Sequence, residues 1–145
     1  MIKTDNEYLQ SKKRLEEEMA SIEEHKKKMK ESGIKDSQIK LAIDPLLSFS
    51  LQLKEEIEEY DKLKKGQFDP IENLYGIGRM LVAIRISKGL KQKDLAESLG
   101  VKESQISRDE RNEYYGASIE KVQKVLEAMG VTLTSNVEKG LNKSA

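Results

Sequence analysis

The 145-residue chain has no cysteine, one histidine and only two prolines. Without cysteine it cannot form a disulfide bridge, a thiolate zinc site or a cysteine nucleophile, and a single histidine rules out a histidine-rich metal site. No apolar run approaches the roughly 20 residues of a membrane span, and the first residues lack the apolar centre of a secretory signal. We therefore expect a soluble, cytoplasmic protein that needs no metal or other cofactor.

Residue groups that carry catalysis are also lacking. The segment Gly76-Ile77-Gly78 is not a phosphate loop, because it lacks a third glycine, a preceding strand and a following Lys-Ser pair. We interpret it as a flexible helix start. His25 lies among lysines and glutamates on the outer face of a predicted helix, with no serine or carboxylate arrangement around it that suggests catalysis. The sequence therefore predicts a protein that is not an enzyme.

Charged residues make up 36% of the chain and hydrophobic residues 37%, which is the balance of a helix-rich protein with amphipathic surfaces. The formal net charge is zero, but the charges are unevenly distributed. Residues 1–75 hold 14 basic and 17 acidic side chains, whereas residues 76–130 hold 10 basic and 8 acidic ones. The second segment is weakly basic, a modest electrostatic signal for nucleic-acid binding.

Residues 1–68 are predicted to form a long antiparallel hairpin of two helices. Over residues 5–32 the apolar residues recur in sevens, at Tyr8, Leu15, Ile22 and Met29. This spacing predicts a seam that faces another helix. The second helix is expected to begin with Asp44 as N-cap and Pro45 at the first helical position, and to end at Gly66. The hairpin either seals only its own seam or provides a dimer or partner interface, and both interpretations stay open.

Residues 69–131 predict a second unit, made of short helices. Asp69 and Glu72 have the spacing of a capping box, and Pro70 stands at the first helical position, so a helical unit is expected to start there. A short helix is also expected over residues 77–86. The boundary between the two units therefore falls near residue 68.

The centre of this unit contains two helical segments separated by a glycine. The first segment ends at Gly100, and the second is predicted to begin near Glu103. One face of the first segment is apolar and includes a small residue where two helices would cross closely: Leu95, Ala96 and Leu99. Two short helices joined by a glycine-containing turn are the helix-turn-helix layout.

This segment resembles the phage-repressor and Cro type of helix-turn-helix, often called the XRE family. The matching residues are Arg85, Gly89, Leu90, Gln92, Leu95, Ala96, Leu99, Gly100, Val101, Ile106, Ser107 and Glu110. The resemblance covers roughly residues 75–131. It implies an all-α protein in which a five-helix, lambda-repressor-like domain binds double-stranded operator DNA in the major groove.

The resemblance also implies which residues read the DNA. Gln92 would hold a phosphate or a base edge, while Glu103, Ser104 and Arg108 would project from the third helix into the major groove. Arginine can donate two parallel hydrogen bonds to guanine, worth about 1 to 3 kcal/mol of discrimination, and glutamate can accept one from cytosine.

Other basic residues are expected to position the protein on the DNA without specifying a sequence. These phosphate contacts are Lys91, Lys93, Lys102 and Arg111. The family commonly pairs an arginine of the first helix with a glutamate late in the third, and those positions are Arg85 and Glu110 here. We expect them to form a structural ion pair that does not read DNA.

Residues 132–145 are expected to contain a short strand followed by a frayed tail, because the sequence after Gly130 alternates apolar and polar residues. An isolated strand needs a partner strand. Pairing across a two-fold axis would supply one.

The whole layout resembles small bacterial or phage regulators that include the antitoxins of toxin-antitoxin pairs. It implies a homodimeric repressor whose two recognition helices bind half-sites about 34 Å apart. An antitoxin would also use residues 1–75 or the grooves of the hairpin to bind a protein toxin. The alternative is a protein-protein interaction module that uses the helix-turn-helix fold without reading DNA, since fold does not fix function.

Overall fold

The computed structural model describes residues 1–138, and the regular structure of this part of the chain is entirely helical. The helices are α1 (Asp5–Glu31), α2 (Asp36–Lys64), α3 (Ile77–Ser87), α4 (Gln92–Leu99), α5 (Glu103–Arg111) and α6 (Ile119–Ala128). The all-α prediction is confirmed. Among the described residues, no helix combines the length and apolar character needed to span a membrane.

α1 and α2 form the predicted antiparallel hairpin. Near the connecting loop, Ile22 of α1 is buried against Ile39 and Ile43 of α2. A helix of this length, about 40 Å, is held mainly by such packing, because propensity alone stabilises a helix only marginally in water. The seam that was predicted from the spacing in sevens is therefore what holds the hairpin together.

α2 begins at Asp36, so the predicted start at Pro45 is wrong, and the proline lies inside the helix. Proline has no N–H to bond to the carbonyl of Leu41, four residues earlier. Leu41 and Pro45 are both exposed, so water can bond that carbonyl. On the inner side of the helix, Ile39 and Ile43 are buried, and this tertiary packing outweighs the local start signal.

Replacing Pro45 with alanine is expected to raise the free energy of unfolding by about 2 to 2.5 kcal/mol. Proline in a helix interior costs about 3 kcal/mol relative to alanine, and its restriction of the unfolded chain offsets about 0.4 to 1 kcal/mol of that. Urea denaturation monitored by circular dichroism measures the change. A Pro45→Gly control should gain about 1 kcal/mol less. A Pro45→Ala variant less stable than the parent would contradict the expectation.

The open end of the hairpin, away from its loop, is anchored by polar contacts of two tyrosines. The rings of Tyr8 and Tyr60 stack with centroids 5.0 Å apart. Tyr8 donates to Asp61 at 2.8 Å, and Tyr60 donates to Asp5 at 2.9 Å. Hydrogen bonds from Lys64 and Tyr60 lower the pKa of Asp5, while burial and the Asp5 carboxylate raise the pKa of Tyr60. These contacts fix the start of α1 against the end of α2.

Residues 65–76 connect the hairpin to α3 without forming a helix, so the predicted helix start at Pro70 is wrong. Asn73 has a φ of 56° and Gly76 a φ of 79°. These left-handed residues would stop a helix from Pro70 within its first turns, too short to be stable alone. α3 begins at Ile77, and the helix-turn-helix part of the described chain has four helices instead of the expected five.

The open end of the hairpin shares one hydrophobic core with α3 to α6. The residue before α1 that joins this core is Ile2, and α2 contributes Ile57, Tyr60 and Leu63. The later helices contribute Leu81, Val82, Leu95, Ala96, Ile106, Val125 and Leu126, and Met129 joins them directly after α6. The hairpin is therefore packed against the short helices as part of their core.

Residues 131–138 form no strand, so the strand predicted after Gly130 is absent from this part of the chain. A strand needs a neighbouring strand for its backbone hydrogen bonds, and residues 1–138 contain none. The predicted frayed tail lies outside the described residues from residue 139 onward.

Candidate DNA-binding surface

α4 and α5 are joined by a turn in which Gly100 has a φ of 68°. Glycine adopts this left-handed conformation without the strain that a side chain would bring. Ile106 of α5 is buried against the core, while Glu103, Ser104 and Arg108 are exposed on the outer side of the helix. The three residues predicted to enter the major groove are therefore accessible and carried by one helix.

The residues predicted to contact phosphates lie around the same two helices. Lys91 precedes α4, and its backbone N–H donates to the side chain of Asp94 at 2.8 Å. Lys102 precedes α5, and Arg111 lies in its last turn. Lys93 is exposed. The ammonium of Lys93 is 3.9 Å from the carboxylate of Glu97. All four basic side chains are exposed to solvent.

Behind the exposed face of α5 lies a buried ion pair between Arg85 and Glu110, the two residues predicted to pair. Arg85 is 3% exposed and Glu110 is fully buried. The guanidinium donates to the Glu110 carboxylate through Nη2 at 2.8 Å and through Nε. It also donates to the carbonyl of Leu90 at 2.7 Å. This single group connects α3, the turn before α4, and α5.

Gln92 takes part in the same network. Its side-chain amide donates to the Glu110 carboxylate at 2.7 Å, and the residue is half-buried. The predicted DNA contact from Gln92 would therefore come from a side chain that is already held in place by the buried carboxylate.

The N-terminal segment supports α5 in a way that the sequence patterns did not indicate. The Lys3 ammonium donates to the carbonyl of Glu110 at 2.6 Å, and the Lys3 carbonyl accepts from Arg85 at 2.8 Å. A cation near the end of a helix interacts favourably with its exposed carbonyls. The ammonium of Met1 lies 3.4 Å from Glu56 of α2. The first three residues thus tie the hairpin to the recognition helix.

The start of α1 stands beside the predicted DNA-contacting residues. Asn6 and Leu9 line one concave surface together with Gln92 and Glu103. Lys3, Glu7 and Ser11 line a second one together with residues of α4 and α5, namely Gln92, Ser107 and Arg111. Nothing in the spacing of the sequence indicated this proximity, which depends on how the hairpin packs on the later helices.

α5 carries acidic as well as basic side chains. Asp109 is paired with Lys121 of α6 at 2.8 Å, so its charge is partly neutralised. Glu103 forms no ion pair within 4.0 Å among the described residues. No group of three or more metal-ligating side chains occurs within residues 1–138.

Comparison with known families identifies the short-helix part of the chain. Residues 81–136 match a family model described as helix-turn-helix. This segment is a helix-turn-helix domain of the XRE type. The predicted family resemblance is confirmed, and the domain is the DNA-binding domain of a regulator. The chain has no significant match among curated proteins or among solved structures.

The matched range begins inside α3, contains α4, α5 and α6, and reaches residue 136. It includes every residue singled out above as a candidate DNA contact. The hairpin lies outside the match to the XRE-type domain, so its contribution has to be argued from its own contacts.

Proposed function

We propose that the chain is a sequence-specific transcriptional regulator that binds operator DNA as a homodimer and represses transcription by occupying that DNA. The observation that supports this most directly is the XRE-type domain with an exposed recognition helix, α5, whose inner face is held by the buried Arg85–Glu110 pair. A recognition helix fixed in this way can present its outer side chains to the major groove without reorganising.

The proposed base contacts are made by Glu103, Ser104 and Arg108 of α5 and by Gln92 of α4. Arg108 is the proposed guanine contact because its side chain is exposed on the outer side of α5, away from the face that is buried in the core. Phosphate contacts would come from Lys91, Lys93, Lys102 and Arg111, whose charges position the domain without selecting a sequence.

Replacing Arg108 with alanine is expected to weaken binding to the preferred DNA site by about 1 to 3 kcal/mol and to relax the preference for one guanine. The measurement is selection of bound sites from random duplex DNA at about physiological salt, followed by titration of the selected site. Lys93→Ala is the matched control, because losing a phosphate contact should weaken binding to all sequences and lower the salt dependence.

Two results together support a dimeric operator-binding regulator. The parent selects an inverted repeat, and Arg108→Ala no longer selects one guanine of that repeat. Recovery of a single asymmetric half-site would contradict the dimer. No enrichment at any salt concentration would contradict DNA readout and favour the alternative, a protein-interaction module with this fold.

We also propose an antitoxin role, in which the hairpin binds a protein toxin. The support is the resemblance of the layout to antitoxins, together with a hairpin that lies outside the DNA-binding domain and exposes several apolar side chains. Co-purification of the chain with the product of an adjacent gene, and relief of that product's toxicity, would test the role. If the two proteins elute separately after they are mixed, the antitoxin role is contradicted.

A further inference from the structure

The seam of the hairpin is interrupted midway along α2. Ile43, Ser50 and Ile57 occupy equivalent positions seven residues apart, so Ser50 stands where an apolar residue is expected. Ser50 is only 2% exposed, and its hydroxyl donates to the carboxylate of Glu18 at 3.4 Å. The apolar core is accordingly divided into two separate clusters, one at the hairpin loop and one at the helix-turn-helix domain.

A notch opens at this interruption. We define it by Glu18, Ser21 and Ile22 of α1 and Leu46, Phe49 and Ser50 of α2; its volume is about 390 Å³. Phe49 stands at its edge and is 69% exposed. The notch therefore combines a partly apolar hole with an exposed aromatic ring beside it.

Phe49 is part of an apolar stripe that has no partner within residues 1–138. Ala42, Pro45, Leu46 and Phe49 follow the i, i+3, i+4, i+7 spacing of one helix face, and all four are exposed. Such a stripe normally faces another helix. Here the side of α2 that carries it is not the side that α1 covers.

We propose that the notch is the dimer interface, where Phe49 of each chain inserts into the notch of a second copy of the same chain. This inference rests on the dimer of the proposed function and locates it. The projecting ring and the hole lie on one surface patch. The ring of each copy can therefore fill the hole of the other across a two-fold axis, and the dimer leaves no such ring or hole exposed. If they lay on separate surfaces, the same contact would produce a ring or an open filament instead of a dimer.

The charges around the notch are compatible with a second copy. Besides the residues that define it, Arg14 and His25 also line the notch. Arg14 forms an ion pair with Glu18 at 2.7 Å, so these two charges offset each other.

The test measures the mass of the full chain by sedimentation equilibrium over a range of concentrations. The parent is expected to be a dimer, and Phe49→Asp is expected to raise the dimer dissociation constant at least 100-fold. Leu51→Asp is the matched control, because Leu51 is exposed on the same helix but does not line the notch. Circular dichroism should show the same helix content for all three proteins.

A second variant tests the hole itself. Ser50→Leu would fill the notch from within the hairpin, so the chain should stay folded and become more resistant to urea while the dimer weakens. A monomeric parent, or a dimer that survives both Phe49→Asp and Ser50→Leu, would overturn the proposal.

The DNA-binding function is tested separately by titration of a single half-site with each protein. Half-site binding by the monomeric Phe49→Asp variant would support a dimer role for the notch that is distinct from DNA recognition. A parent that is a dimer but binds DNA without sequence preference would overturn the proposed regulator and leave the proposed interface standing. A monomeric parent that uses Phe49 to bind a different protein would overturn the second-copy occupant.

Discussion

Replacing Glu110 with alanine is expected to lower the free energy of unfolding by about 3 to 5 kcal/mol, because breaking a buried ion pair leaves an uncompensated charge in the core. Arg85 would keep its guanidinium at 3% exposure and lose its counter-charge. Gln92 would lose the acceptor of its 2.7 Å hydrogen bond. Urea denaturation at neutral pH, monitored by circular dichroism, measures the loss.

Glu97→Ala is the matched control for this experiment. Glu97 also faces a basic residue, Lys93 at 3.9 Å, but both side chains are largely exposed. An exposed pair contributes at most about 1 kcal/mol, so this variant should unfold close to the parent. A Glu110→Ala variant that loses no more than Glu97→Ala would contradict a structural role for the buried pair.

A double variant separates the ion pair from the space that it fills. Arg85→Met combined with Glu110→Leu removes both charges and keeps apolar volume, and such replacements are often neutral or stabilising. We expect the double variant to recover most of the stability that Glu110→Ala loses. The single variants Arg85→Met and Glu110→Leu complete the comparison. A loss of stability in the double variant equal to the sum of their losses would contradict coupling between the two residues.

The Arg85–Glu110 pair also affects DNA binding, because it helps to fix the position of α5. The Glu110 carboxylate holds Arg85 and Gln92, and its backbone carbonyl accepts from Lys3 of the N-terminal segment. Four parts of the chain therefore meet at one residue of the recognition helix. A shift of α5 caused by loss of this residue would move Arg108 relative to the groove even where the protein stays folded.

Much of this arrangement could be predicted from local patterns in the sequence. The spacing of Tyr8, Leu15 and Ile22 indicated a helical seam, and Gly100 indicated the turn before the recognition helix. Both signals are periodic or depend on one residue's backbone freedom, so they act within a few residues. The helix-turn-helix part could be recognised because nearly all of its signals are of this local kind.

Two of the errors arose where distant contacts decide the structure. Pro45 is a helix-start signal in the sequence, but burial of neighbouring isoleucines against α1 continues the helix through it. The error at Pro70 has a local cause instead, because left-handed residues at positions 73 and 76 prevent a helix there. Lys3 contacts Glu110, 107 residues later in the chain, and no periodicity reports a contact at that separation.

Gly78 is the position where a local interpretation and the structure give opposite predictions for one substitution. Alanine is favoured over glycine inside a helix by roughly 0.5 to 1 kcal/mol, so helix propensity alone predicts that Gly78→Ala stabilises α3. In the structure, a Cβ at Gly78 would lie 1.7 Å from the carbonyl oxygen of Glu113 and 2.6 Å from its carbonyl carbon. The glycine is thus required by close backbone packing, and not by flexibility at the helix start.

The backbone around Glu113 has little freedom to move away. Glu113 and Tyr114 both have left-handed backbones, with φ of 51° and 52°. The ring of Tyr114 is buried in the core. Relief of the clash would have to displace this turn, which directly follows the recognition helix, or push α3 out of the core. We therefore expect Gly78→Ala to lower the free energy of unfolding by about 3 kcal/mol or more, at the upper end of overpacking effects.

Urea denaturation of Gly78→Ala tests the sign as well as the size of this effect. Gly89→Ala is the matched control, because a Cβ there meets no atom within 4 Å and the substitution is disfavoured only by a φ of 67°. That strain amounts to roughly 1 to 2 kcal/mol. Greater destabilisation by Gly78→Ala than by Gly89→Ala would support close packing of α3 against the turn. A Gly78→Ala variant as stable as the parent would show that this turn can move, and the fixed position of α5 would then need another explanation.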